Sequence, residues 1–300
     1  MNFRPQAWHC LTPWRPMARA GYLSGRRTML GAIAGDVIGS VYEYHPVACN
    51  WDEFPLFTPE SCFTDDTVMT VAVAHALRAN ADVARLKEEF IDALHNFGKT
   101  WPRAAYGDKF AQWLKFGRRE PYNSFGNGSA MRVSPVGWRA RSLEEAEKLA
   151  ALSAEVTHNH PEGIKGAQAT AGAIFLARQG NPTSEIRDYV SARYGYDLNR
   201  TLEQIRQTYS YDVTCQGTVP EAVIAFLESG DFEEAVRKAI WLRGDADTLA
   251  AITGAIAEAY YGGVPQAIAT EVLNRLDAGL LQGYADWIAW LADQGQNQGR

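Results

Sequence analysis

Two short acidic clusters carry the clearest chemistry in the sequence, Phe63-Thr64-Asp65-Asp66-Thr67 and Gly244-Asp245-Ala246-Asp247-Thr248. Each stands just ahead of a long apolar stretch with helical period and offers two carboxylates and flanking hydroxyls at a predicted helix start. Aspartate at such a position also caps free N–H groups and suits the positive end of the helix dipole, so either cluster alone has an ordinary explanation. The pair changes the balance, because adjacent carboxylates repel and a cation relieves the repulsion. Four carboxylates and nearby threonine hydroxyls, brought together, make the all-oxygen cage that Mg²⁺ and Mn²⁺ prefer. Two such ions could orient a water and a hydroxyl-rich substrate. An EF-hand does not fit: the next odd position after Asp247 is Leu249, and the loop glycine and distal glutamate are missing.

The segment Phe125-Gly126-Asn127-Gly128-Ser129-Ala130-Met131-Arg132 is the next feature. Its glycines permit close backbone approach, and successive N–H groups there can form an anion nest, with Ser129 and Arg132 as further donors. A plain helix-entry turn is the alternative. A Walker loop is disfavoured, since no strand precedes the segment and the Lys-Ser/Thr pair is absent. In Thr157-His158-Asn159-His160-Pro161 the H-x-H spacing lacks a third soft ligand for zinc, so a capping or substrate-contacting histidine is expected. Glu43 follows Tyr42 at the end of a small-residue helix, and His75 sits at helical spacing among Val71, Val73 and Leu77. Trp101-Pro102 and Tyr106-Gly107 are weak candidates for an adenine-stacking face.

The elements that must position these groups read as helices almost throughout. Helical periods cover 31–42, 65–79, 85–97, 143–155, 161–178, 220–228, 232–241, 245–261, 265–276 and 283–292. Small residues (Gly31, Ala32, Ala34, Gly35, Gly39) mark 31–42 as a helix packed closely by its neighbours. Ser142-x-x-Glu145 and Thr201-x-x-Gln204 read as capping boxes, and Pro161-Glu162 suits a first helical turn. No run of alternating strands and no solenoid repeat is visible, so the expected fold is a single all-α domain of ten or more helices over 29–293. Residues 294–300 read as a polar tail. Residues 1–28 hold five arginines, three prolines and no acid, and read as an extension outside the fold, either a transit peptide or an upstream in-frame addition.

The bulk numbers agree with an enzyme-sized globule. The chain has 300 residues, 46% hydrophobic and 21% charged, enough to bury a large core. A net charge of −6 argues against tight nucleic-acid or anionic-membrane binding through bulk charge, although a local basic groove stays open. Cys10, Cys49, Cys62 and Cys215 are widely spaced without C-x-x-C, which points to thiols in a reducing cytosol.

These motifs, in this order, resemble the ADP-ribosylglycohydrolase family, relatives of dinitrogenase reductase-activating glycohydrolase. The resemblance rests on Gly31-Ala-Ile-Ala-Gly-Asp36-Val-Ile-Gly39-Ser-Val-Tyr-Glu43, Phe63-Thr-Asp-Asp-Thr67, Gly126-Asn-Gly-Ser-Ala-Met-Arg132, Thr157-His158 and Gly244-Asp-Ala-Asp-Thr248. It implies an all-α fold with two Mg²⁺ or Mn²⁺ ions held by Thr64, Asp65, Asp66, Asp245, Asp247 and Thr248. It implies Glu43 beside the cleft as base or gate, and Gly126, Asn127, Gly128, Ser129 and His158 around the diphosphate and distal ribose. Glu43, Asp65, Asp66 and Asp247 are then the expected catalytic set. Arg243 departs from the family's usual glycine, and a cation there would bind phosphate or narrow the cleft. The implied reaction is hydrolysis of the glycosidic bond of an ADP-ribosyl group on a protein side chain, arginine or serine. Hydrolysis of another ADP-ribosyl linkage (nucleic acid, O-acyl-ADP-ribose, a free nucleotide), ADP-ribose binding without turnover, and a helical interaction protein are the alternatives.

Overall fold

The computed structural model describes residues 28–79 and 82–297. Among them the chain forms fifteen helices. The first half contains α1 (Leu30–Gly39), α2 (Asp65–Leu77), α3 (Val83–Thr100), α4 (Asp108–Lys115), α5 (Gly128–Met131), α6 (Ser134–Arg139) and α7 (Leu143–Glu155). The second half contains α8 (Pro161–Arg178), α9 (Thr183–Tyr194), α10 (Leu202–Thr208), α11 (Cys215–Leu227), α12 (Phe232–Trp241), α13 (Ala246–Tyr261), α14 (Gln266–Leu273) and α15 (Ala278–Asn297). The expected all-α domain is the observed architecture; one isolated antiparallel bridge, Gly126 to Thr214, is the only β pairing among the described residues.

Helix α13 is the central post: it is buried from Ala246 to Ala259, and α1, α8, α11 and α12 all pack on it. The small residues of α1 explain the closest of these contacts. A Cβ on Gly31 would stand 2.2 Å from the Gly254 carbonyl oxygen, and one on Gly35 would stand 2.0 Å from that of Ala250. At Gly39 it would meet the Asp247 Cα at 2.5 Å. Three glycines at i, i+4 and i+8 therefore let two backbones touch along the whole of α1 and press its end against the second acidic cluster.

Several local expectations shift for identifiable reasons. Helix α1 stops at Gly39, so Tyr42 and Glu43 lie in a following turn rather than closing the helix. Helix α11 starts five residues before Pro220, because Thr214 caps it by accepting from the Gly217 N–H and the Phe125 carbonyl accepts from the Cys215 N–H. Ser142 accepts from the Glu145 N–H, but the Glu145 carboxylate returns to the Arg141 N–H, so that box is half formed. The Thr201–Gln204 box is complete. Helices α4, α6 and α9 have no counterpart among the predicted helical periods: the first two are short, and α9 carries almost no apolar stripe, burying only Ile186 and Val190. Helix α15 runs through 283–292 to Asn297, into the segment read as a tail. The reading of 1–28 as an extension lies outside the described residues apart from Thr28, which is buried.

Candidate active site

The first acidic cluster is oriented by a residue with no role in the sequence reading. Asp36, buried on α1, accepts from the Thr64 N–H (2.9 Å) and the Thr67 N–H (3.0 Å) through Oδ2. Its Oδ1 accepts from the Thr64 hydroxyl at 2.7 Å, and its Oδ2 also accepts from the Thr67 hydroxyl. One carboxylate thus gathers four donors at the start of α2, and its burial raises its pKa while these hydrogen bonds oppose the rise. No local sequence pattern marks Asp36 for this role, because its partners lie 28 and 31 residues ahead.

With α2 fixed, Asp65 and Asp66 enter the cleft from its first turn, and Thr64 caps the helix by accepting from the Asp66 N–H. The second cluster arrives from α13. The Thr248 hydroxyl donates to Asp66 Oδ2 at 3.2 Å, which ties the two clusters together across 182 residues. Asp247 Oδ1 accepts from the Thr248 N–H at 2.9 Å. Asp245 Oδ2 accepts from the Asn127 amide at 2.6 Å, and that amide also reaches the Thr218 hydroxyl at 3.1 Å. Glu43, Asp245 and Asp247 present carboxylate oxygens all within 4.8 Å of one another. Glu43 therefore stands inside the acidic group rather than only beside it, and its Oε1 accepts from the Tyr211 hydroxyl at 2.9 Å.

So many carboxyls in one place raise each other's pKa. Burial pushes Asp65, Asp66 and Asp247 well above the ordinary carboxylate range, with neighbouring carboxylates adding to it. Burial raises Glu43 and Asp245 too, against hydrogen bonds that favour their charged forms. Asp66 Oδ1 is buried with no hydrogen-bond partner. Crowded acids, an orphaned buried oxygen and an all-oxygen donor set together fit a hard divalent cation.

The cleft has a volume of about 390 Å³, in the range of small-molecule sites. Glu43, Asp65, Asp66, Asp245, Asp247 and Thr248 line it, with Gly126, Asn127, Gly128 and His158. The Gly-rich segment is held there by pairing with the chain ahead of α11, the Asn127 N–H donating to the Val213 carbonyl at 2.8 Å. Tyr122, Phe125 and Tyr211 supply aromatic wall.

The structure places four further groups as follows. The Ser129 side chain faces the protein body, not the cleft: it is fully buried and its hydroxyl donates to the Gly163 carbonyl at 2.7 Å. Trp101 stacks on Phe97 and its indole N–H donates to Asp277, and it does not line the cleft; Gly107, Tyr122 and Phe125 do. Arg243 points its Nε to the Val47 carbonyl at 3.3 Å and does not line the cleft. Its φ of 72° is left-handed, which is why glycine suits this position. The two histidines of 157–161 divide the roles proposed for them, His160 capping α8 through the Glu162 N–H and His158 lining the cleft.

Comparison with known proteins agrees with this arrangement. The ADP-ribosylglycohydrolase family profile matches residues 24–299. Mouse ADP-ribosylhydrolase ARH3 is 29% identical over an alignment of 316 positions, covering 79% of this chain and 83% of that protein. The ADP-ribosylarginine hydrolase Tri1 of Pseudomonas putida is 28% identical over 290 positions, covering 84% of this chain and 73% of that one. A solved structure titled ADP-ribosylglycohydrolase-related protein complex superposes with a TM-score of 0.62 at 24% identity, over 88% of this chain and 95% of its own, which speaks for the fold. A profile match over nearly the whole chain, joined to two acidic clusters meeting in one cleft, places this protein in the ADP-ribosylglycohydrolase family.

Proposed function

We propose that this chain is a divalent-metal-dependent hydrolase that releases ADP-ribose from modified protein side chains, of the arginine or serine type. The single observation that carries the reading is the convergence of Asp65 and Asp66 with Asp245, Asp247 and Thr248 on one cleft that also contains the Gly126–Gly128 turn. ADP-ribosyl hydrolysis is the reaction class of the family, and both ARH3 and Tri1 carry it in their names. The acceptor and the metal are this proposal's own.

Thr64, Asp65, Asp66, Asp245, Asp247 and Thr248 would hold two Mg²⁺ or Mn²⁺ ions. Divalent ions held by these residues would supply polarisation of ribose hydroxyls and an easier deprotonation of water. The protein's own groups do the rest. Asp36 keeps Thr64 and Thr67 in register, and Asn127 keeps Asp245 turned inward. Gly126 and Gly128 admit the diphosphate to the backbone, where a Cβ on Gly128 would crowd His158 Nε2 at 3.2 Å. Glu43, with its carboxyl held by Tyr211 and raised by burial, is the candidate proton acceptor near the anomeric carbon. Phe125 and Tyr122 would flank the nucleotide. A cytosolic setting belongs to the same proposal; no helix among the described residues is long and apolar enough to cross a membrane.

The test is release of free ADP-ribose from matched ADP-ribosyl-arginine and ADP-ribosyl-serine peptides, with Mg²⁺, with Mn²⁺ and with chelator. Release from one peptide should require metal and should vanish in Asp65→Asn. Undiminished turnover in that variant or in chelator would remove the metal from the mechanism. Binding of ADP-ribose without release from either peptide would favour another linkage or a purely binding role.

A further inference from the structure

Behind the glycine turn lies a buried chain of three polar side chains that the reaction, as described, does not use. Arg132, 1% exposed, donates through Nη2 to the Ser153 carbonyl (2.9 Å) and to the Thr157 hydroxyl oxygen (2.8 Å). The same hydroxyl oxygen lies 2.8 Å from His158 Nδ1. His158 is 5% exposed and lines the cleft. Its Nε2 is the atom nearest the turn, 3.2 Å from where a Cβ on Gly128 would stand and 3.6 Å from one on Gly126.

We propose that Arg132 and Thr157 are positioning residues that hold His158 as the tautomer protonated on Nε2, so that the cleft always meets an N–H donor at the Gly126–Gly128 turn. The reasoning is a count of protons. A guanidinium only donates, so the Arg132–Thr157 contact consumes a lone pair of the hydroxyl and leaves its proton free. The hydroxyl's other hydrogen-bond partner is His158 Nδ1; were Nδ1 to donate into the second lone pair, the proton of this fully buried hydroxyl would have no acceptor, so Nδ1 accepts. A neutral imidazole that accepts at Nδ1 carries its proton on Nε2. Arg132 stays charged for this purpose, since burial lowers it only to about 10. Burial and the Arg132 charge both push His158 well below its ordinary value, so the ring is neutral at working pH. With the ring neutral, the direction of the chain decides what the ligand sees, because the opposite tautomer would present a lone pair at Nε2 and repel the oxygens of a phosphate or a ribose. What such a donor suits is an anionic oxygen lying over the glycine turn. The use of that donor rests on reading the cleft as an ADP-ribosyl site; the tautomer itself does not.

The measurement is a long-range ¹H–¹⁵N NMR correlation of the imidazole nitrogens in the full chain, on wild type, Thr157→Val and Thr157→Ser, with ADP-ribose titrated calorimetrically into each. Wild-type His158 should show the Nε2–H pattern before any ligand is added. Thr157→Val removes the hydroxyl at nearly constant shape and should move the ring toward Nδ1–H or a mixture, with ADP-ribose affinity falling about tenfold. Thr157→Ser restores the hydroxyl and should restore both signals. An Nδ1–H ring in wild type would overturn the proposal, as would Thr157→Val with tautomer and affinity unchanged. Should Thr157→Val fail to fold, the wild-type spectrum decides alone. Absence of ADP-ribose binding to wild type would count against the functional reading and leave the tautomer result standing.

Discussion

Asn127 carries more than the role its motif suggested. A glycine-flanked asparagine reads as a substrate contact, yet its amide is spent on Asp245 at 2.6 Å and Thr218 at 3.1 Å. It is the partner that aims a candidate ligand, and partners of that kind weaken metal binding by about 10–100-fold when removed. Asn127→Ala should therefore raise the Mg²⁺ dissociation constant by that order in a calorimetric titration, while the helical circular dichroism stays as in wild type. Unchanged affinity would separate Asp245 from the metal. At the residue scale the sequence was legible where the groups that line the cleft sit in consecutive positions, as in 64–67 and 245–248. It was illegible where a role depends on a distant partner, as for Asp36, or on which way a side chain turns, as for Ser129 and Arg243.

Among the elements, the joint between α1 and α13 governs the geometry. The glycine stripe sets their spacing, and Glu258 closes the far end by accepting from the Gly31 N–H at 2.7 Å and from the Thr28 hydroxyl. The Glu258 carboxyl is 1% exposed, and burial pushes it up to about 7 against those hydrogen bonds. A folded-state value raised above the unfolded one contributes stability that is complete below about pH 4.5 and is lost as pH rises through about 7. Glu258→Gln imitates the protonated form. Its stability relative to wild type should be level near pH 4, should improve as pH rises from about 4.5 towards 7, and should level off above that at about 3 kcal/mol. Urea unfolding at pH 4, 7 and 9 reads this directly; a difference independent of pH would show that Glu258 does not titrate in this range. Helix periods foretold the long amphipathic elements, including α3 and α12. They missed the start of α11, because proline normally marks a first turn and here sits inside the helix.

The whole molecule is an acidic cleft enclosed by helices, and its stability should answer to cations. Asp65, Asp66 and Asp247 crowd one another, so a divalent ion bound among them would stabilise the folded state by mass action, about 2.7 kcal/mol at a hundredfold excess over the dissociation constant. Mg²⁺ or Mn²⁺ should raise Tm by several degrees, and chelator should reverse it. Protons compete for the same raised carboxyls, so the increment should be smaller at pH 5 than at pH 8. An equal increment at both values, or from Na⁺ at matched ionic strength, would point to general screening. The all-α class was readable from the near absence of alternating patterns. The closeness of the two clusters was not, because nothing local in either one announces the other.

That separation has a consequence for biosynthesis. The bond from Thr248 to Asp66 spans 182 residues, and the glycine-lined face of α1 has no partner until α13 exists. On the ribosome, the first acidic cluster emerges long before the second, so a nascent chain exposes α1 for most of its translation. Such distant pairing also slows folding after release. The cleft is therefore completed late, and the enclosure of its acidic groups doubles as a report that the chain has been made through α13.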